Sequence, residues 1–169
     1  MLYITMMRKK AMSQFISMSI LIMLSISAIS LTLLIIQPAL DKGKDSAVVT
    51  EAIQNLQLID DNIREIASEG EGSRKTISLK VTDGMYRVDP GSNFLNFSYR
   101  TDATVGLSIA GKRGSVNVTS GEKQVELFIQ YTNIDLQGAT HFTKGNNRIV
   151  ITNNGTDSST NKPIIYIET

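Results

Sequence analysis

The chain holds no cysteine and a single histidine in 169 residues. Without cysteine there can be no disulfide, thiolate nucleophile, thiolate-ligated zinc or iron–sulfur cluster. With His141 as the sole imidazole, neither a histidine metal cage nor a histidine pair can form. A basic excess is missing too: 17 Lys and Arg face 16 Asp and Glu, which argues against a nucleic-acid partner. The 41% hydrophobic content is too high for a disordered chain. Catalytic signatures are equally scarce. There is no Gly-x-Ser-x-Gly elbow, and no loop has EF-hand spacing. The run Gly70-Glu71-Gly72-Ser73-Arg74 lacks the preceding strand and the Lys-Ser/Thr of a phosphate loop. His141 has no carboxylate near it in sequence, so no base is available to activate a hydroxyl. These absences predict a protein that is not an enzyme and carries no cofactor and no metal.

The most informative absence is of charge. From Ala11 to Leu40 no residue is charged. The core of that stretch, Phe15 to Ile36, has 22 residues, 13 of them Phe, Ile or Leu. About 20 such residues suffice for a helix to cross about 30 Å of hydrocarbon. At roughly −0.3 to −0.6 kcal/mol each, the 13 favour insertion by roughly 4 to 8 kcal/mol. Five serines and one threonine within it can bond back to carbonyls of the preceding turn or bridge neighbouring helices. A buried core helix fits poorly, because the segment is apolar on every face and no second apolar helix covers it. A removable secretory signal has a shorter apolar region followed by small residues; here Ser25, Ser27 and Ala28 lie inside the run. Arg8, Lys9 and Lys10 precede the run, whereas Asp41, Lys42, Lys44 and Asp45 follow it. The positive-inside bias therefore puts the N-terminus in the cytoplasm and the remainder outside.

Between Ser46 and Ser68, apolar residues fall at Val49, Ile53, Leu56, Ile59, Ile63 and Ile66. Steps of three and four define one helix face. Glu51, Gln54, Asp60, Asp61, Arg64 and Glu65 are expected on the opposite, solvated face. Pro38 and Gly43 predict a kink or short break, and Gly70 and Gly72 a stop. A helix continuous from Met12 to Glu69 would be about 87 Å long. It would protrude beyond its own domain and leave an apolar half needing a partner.

After Gly72 the period changes to two. Ile77, Leu79 and Val81 alternate with polar residues up to Asp83-Gly84, a favoured hairpin turn. That turn would set Val81 against Tyr86 and Leu79 against Val88. A second hairpin with Lys112 and Arg113 at its tip would set Ile109 against Val116 and Leu107 against Val118. Further strands are expected at 93–100, 123–131, 134–142, 148–152 and 164–168. Eight or nine short strands predict an antiparallel, sandwich-like all-β head, so the fold class is α+β.

Three Asn-x-Ser/Thr sequons, at Asn96, Asn117 and Asn154, are candidate glycosylation sites on an exterior domain. Asn117 alternates with Val116 and Val118 and should point away from the core. Charge is also uneven. Residues 41–71 carry 3 basic and 8 acidic side chains, residues 72–169 carry 11 and 8. Either this is ordinary solvated surface, or the acidic stalk of one subunit docks on the basic head of another.

Arg8-Lys9-Lys10-Ala11, followed by Met12-Ser13-Gln14 and the apolar run, resembles the class III signal sequence of archaeal type IV pilin-like proteins. The resemblance is specific over about the first 40 residues and architectural beyond. It implies a lollipop: a long N-terminal helix bearing a β-rich head, a plan shared with archaellins. It also implies cleavage by a prepilin peptidase after Ala11, with Arg8, Lys9 and Lys10 recognised and Met12 the first mature residue. The implied organisation is a signal peptide over 1–11, a long helix over 12–71 and an extracellular head over 72–169. Ile16 stands where bacterial pilins carry a glutamate, a residue that archaeal members commonly lack. Ala11 before the cut, rather than glycine, favours a pilus subunit over an archaellum subunit. The implied filament core would be lined by Phe15, Ile16, Ile20, Leu24, Leu31 and Ile35, with Ser17, Ser25 and Ala28 permitting close approach.

The implied partners are further copies of the chain, the prepilin peptidase, the pilus assembly platform and its ATPase, and the membrane before assembly. The implied function is a structural subunit of an extracellular adhesion pilus. The alternatives are an uncleaved single-pass membrane protein whose head binds envelope or archaellum components, or a minor pilin at the filament tip.

Overall fold

A computed structural model describes residues 2–101, 111–121, 123–138 and 140–169, with side chains from Gln14 onward. It is an α+β protein: one long N-terminal helix, then a mostly antiparallel sheet. The helix, α1, spans Leu2–Ser68 and is assigned without a break through Pro38 and Gly43. The chain divides into two compact units, Met1–Asp41 and Lys42–Thr169. Thus the second half of the helix belongs with the strands rather than forming a separate stalk.

Among the described residues there are eight strands: β1 (Arg74–Asp89), β2 (Phe94–Arg100), β3 (Gly111–Arg113), β4 (Val116–Ser120), β5 (Gln124–Gln130), β6 (Asp135–Gln137), β7 (His141–Thr156) and β8 (Pro163–Glu168). They form a single sheet in the order β3-β4-β5-β2-β1-β7-β8-β6. Only the β6–β8 pair is parallel. The layer packed on this sheet is helical. Val49, Ile53, Leu56, Ile59, Ile63 and Ile66 are all buried in one core with Leu79, Tyr86, Leu95, Phe97, Leu127 and Ile151. The amphipathic half of the helix therefore needs no outside partner for its apolar face, because its own sheet covers it. Tyr86 stacks on Phe142 at 4.7 Å between centroids and lies tilted against Phe97 at the same distance.

Two turns differ from the alternation-based reading. Asp83-Gly84 is a bulge inside β1, not a hairpin tip. Leu79 and Val81 pair with Asn147 and Gly145 of β7, and beyond the register shift Tyr86 pairs with Phe142. Val88 pairs with Leu95 of β2. A bulge and a two-residue turn reverse the in–out alternation alike, so the same apolar pattern fits both. Gly84 has φ +89°, and a Cβ there would lie 2.5 Å from the buried Phe97 ring. The second hairpin turns at Gly114-Ser115, two residues later than expected. Arg113 faces Val116 and Gly111 faces Val118, because Gly114 supplies the positive φ that Lys112 and Arg113 would adopt only with strain. Leu107 and Ile109 lie outside the described residues. The expected strand 134–142 is split at Gly138, where the positive φ and the nearby Ile167 backbone leave no room for a Cβ, into β6 and the start of β7.

Asp60, expected on the solvated face, is buried. Its carboxylate accepts from Arg64 Nε at 2.9 Å, and the Arg64 guanidinium lies 5.7 Å over the Tyr131 ring. The helix's buried stripe is wider here than six apolar residues imply. Part of the acid-rich helix is matched within the chain: Glu65 pairs with Lys75 at 2.5 Å, and Glu51 accepts from Thr82 N at 2.8 Å.

Candidate functional site

Local chemistry first singles out the apolar part of α1. Within Gln14–Ser68 lies a stretch long and apolar enough to cross a membrane, and none of it is buried among the described residues. Phe15, Ile16, Ile20, Leu24, Leu31 and Ile35 are each between 55% and 77% exposed. Most of the hydroxyls along it are satisfied locally. Ser19 donates to Phe15 O at 2.9 Å, Ser25 to Leu21 O at 2.8 Å, Ser27 to Met23 O at 2.8 Å and Thr32 to Ala28 O at 2.8 Å. Back-bonding of this kind lets small polar residues face an apolar medium without an unpaired donor. Arg8, Lys9, Lys10, Ala11 and Met12 fall within the helix, but their side chains lie outside the described residues.

The sheet unit holds buried polar anchors that the sequence reading missed. Asp45 is buried and accepts from the Tyr99 hydroxyl at 2.6 Å and from the Thr101 hydroxyl. A signal for this existed, since Asp45 lies four residues before Val49 on the buried stripe. Asn55 Nδ2 donates to Lys80 O at 3.1 Å and to the Tyr86 hydroxyl at 3.2 Å. Burial holds the Tyr86 phenol well above its ordinary value. Tyr131 is raised likewise, by burial first and then by the Asp60 charge. The hydrogen bond to Asp60 raises Arg64 in turn.

The three sequons sit in different settings. Asn154 is exposed near the end of β7. Asn96 and Asn117 are half-buried and both register with Phe128 of β5, on either side of it. Phe94 meets Phe128 edge-on at 5.6 Å on this face, and Asn96 Oδ1 is enclosed there. Neither Asn96 nor Asn117 offers an amide as open as that of Asn154. His141 is exposed on β7 opposite Arg87. Among the described residues, no three His, Asp or Glu side chains come together as a metal site.

The chain matches no family model, and no curated protein or solved structure is similar to it.

Proposed function

We propose that the chain is a structural subunit of an extracellular type IV-like pilus, polymerising through its N-terminal helix to serve adhesion. One observation carries this reading: a run of more than twenty residues is apolar all round and wholly exposed, while most of its hydroxyls bond back to the preceding turn. Such a surface must lie in lipid or against copies of itself. In a filament, identical helices replace the lipid. In this reading the precursor sits in the membrane with a cytoplasmic N-terminus. The prepilin peptidase removes residues 1–11, and an assembly platform driven by its ATPase extracts the subunit. The sheet unit stays outside, with Asn154 the sequon most open to a glycan.

Mass spectrometry of the surface protein, paired with negative-stain imaging, tests this. The expected result is a mature chain starting at Met12 together with filaments. An intact Met1 on membrane-bound monomers would instead establish the single-pass membrane protein.

A further inference from the structure

The outward side of the β1–β7 ribbon carries a strip of cations. Lys80 and Lys144 line a groove of about 400 Å³ together with Thr82 and Asn146. Arg148 registers with Ser78, two residues before Lys80, and Arg87 lies beyond the bulge opposite His141. All four cations are exposed, and none makes an ion pair with a described residue. The outward face of the helix in the same unit is the opposite case. Asp61, Glu65 and Glu69 are exposed at i, i+4 and i+8, with exposed Leu58 beside them. Like charges at that spacing repel within an isolated helix. Of the three, Glu65 alone makes an ion pair with a described residue, Lys75.

The two surfaces belong to the two layers of one unit, the strip to the sheet and the stripe to the helix packed on it. The sheet's inner face and the helix's buried stripe share the core, so the exposed cations of β1 and β7 and the exposed acids of the helix are carried by different layers. Among the described residues no ion pair joins the four cations of the strip to Asp61, Glu65 or Glu69. We infer that they meet between chains: the cationic strip of one copy receives the acidic stripe, Asp61 to Glu69, of the next. Because donor and acceptor surfaces differ, the contact is heterologous and generates an open polymer rather than a closed dimer. This deepens the filament reading and rests on it for bringing copies side by side. It names an electrostatic contact between sheet units, separate from the apolar helices.

The absence of cysteine makes the test clean. Asn146→Cys places a thiol among the cations, and Leu58→Cys places one beside the acids without altering either charge set. Cells producing the full-length double variant are treated with a short bis-maleimide. The expected result is a ladder of cross-linked multimers from the double variant and none from either single variant. Adding Lys80→Glu and Arg148→Glu should reduce the ladder about tenfold, as should raised salt. Further adding Asp61→Lys and Glu69→Lys should restore it, which a merely misfolded variant could not do. Dimers from a single-thiol variant would overturn the proposal, because they report a symmetric contact. Filaments seen by microscopy without a ladder would overturn this contact and leave the filament reading standing. A ladder without filaments would uphold the contact and remove the filament.

Discussion

Asn153 Nδ2 donates to the carbonyl oxygen of Ile66 at 3.0 Å, tying strand β7 to the last turn of α1. The same amide reaches Glu69 O at 3.0 Å, and its Oδ1 accepts from Gly155 N at 2.9 Å. The final carbonyls of a helix have no partner within it. Here a buried side chain from 87 residues away supplies one. The backbone of Asn153 also pairs with the link that follows the helix, at Gly72 and Ser73.

Asn153→Ala should therefore destabilise the sheet unit by about 1 to 3 kcal/mol, since it removes the bonds to Ile66 O, Glu69 O and Gly155 N while Ile66 O keeps Glu69 N and Ser73 Oγ as donors. Asn153→Asp should cost more, because it removes the donor and sets a negative charge against the negative end of the helix. Denaturant unfolding of the full chain in detergent, followed by circular dichroism, measures both. Equal stability of the Ala variant and the parent would show that water replaces the cap.

Gly84→Ala tests the bulge. The substitution meets a positive φ, costing roughly 1 to 2 kcal/mol, and a ring at 2.5 Å that is itself buried. A total loss of about 2 to 5 kcal/mol is expected. At a solvent-exposed hairpin tip the ring contact would be missing and the loss correspondingly smaller. Thermal melting separates the two cases.

That bulge also marks where the sequence stops being readable. The long apolar run, the helical spacing from Val49 to Ile66, and strands β2, β5 and β8 all follow from local periodicity. The path through Asp83-Gly84 does not, because alternation is reversed alike by a turn and by a bulge, and only pairing with β7 decides. The extension of β7 back to His141 follows from the same pairing. Asp45 with Tyr99, and Asn153 with Ile66, are polar residues whose partners lie 54 and 87 positions away. No local pattern carries that information, although the position of Asp45 on the buried stripe was a usable hint. Asp60 was legible as the i,i+4 partner of Arg64 but not as a buried group.

The two buried tyrosines predict an alkaline limit to stability. Both phenols are held above the ordinary 10.0, chiefly by burial. In the unfolded chain they ionise near that value while the folded chain keeps them neutral. Their contribution is therefore complete below about pH 10 and is lost as pH rises, at about 1.4 kcal/mol per pH unit for each group. Unfolding free energy measured between pH 8 and 11.5 should bend downward above pH 10. Tyr86→Phe and Tyr131→Phe together should flatten that bend, although Tyr86→Phe also loses the bond from Asn55. A bend unchanged in the double variant would assign it to other groups.

Ile26→Lys addresses the exposed apolar segment directly. Ile26 is 59% exposed and lies mid-way along the apolar run. A central lysine costs roughly 2.5 to 3.5 kcal/mol on insertion, and the isoleucine's own favourable contribution is lost as well. In lipid a long side chain can relieve part of this by reaching toward the interface. Between packed helices it has no such route, since every neighbour presents the same apolar surface. Filament yield should therefore fall more steeply than membrane association. Ile26→Leu, which keeps the apolar surface, should leave both unchanged. Membrane fractionation and filament counts on the same cells give the two readouts. Normal filaments built from the lysine variant would mean that this segment is not buried among its copies, and the exposed helix would then require a different occupant.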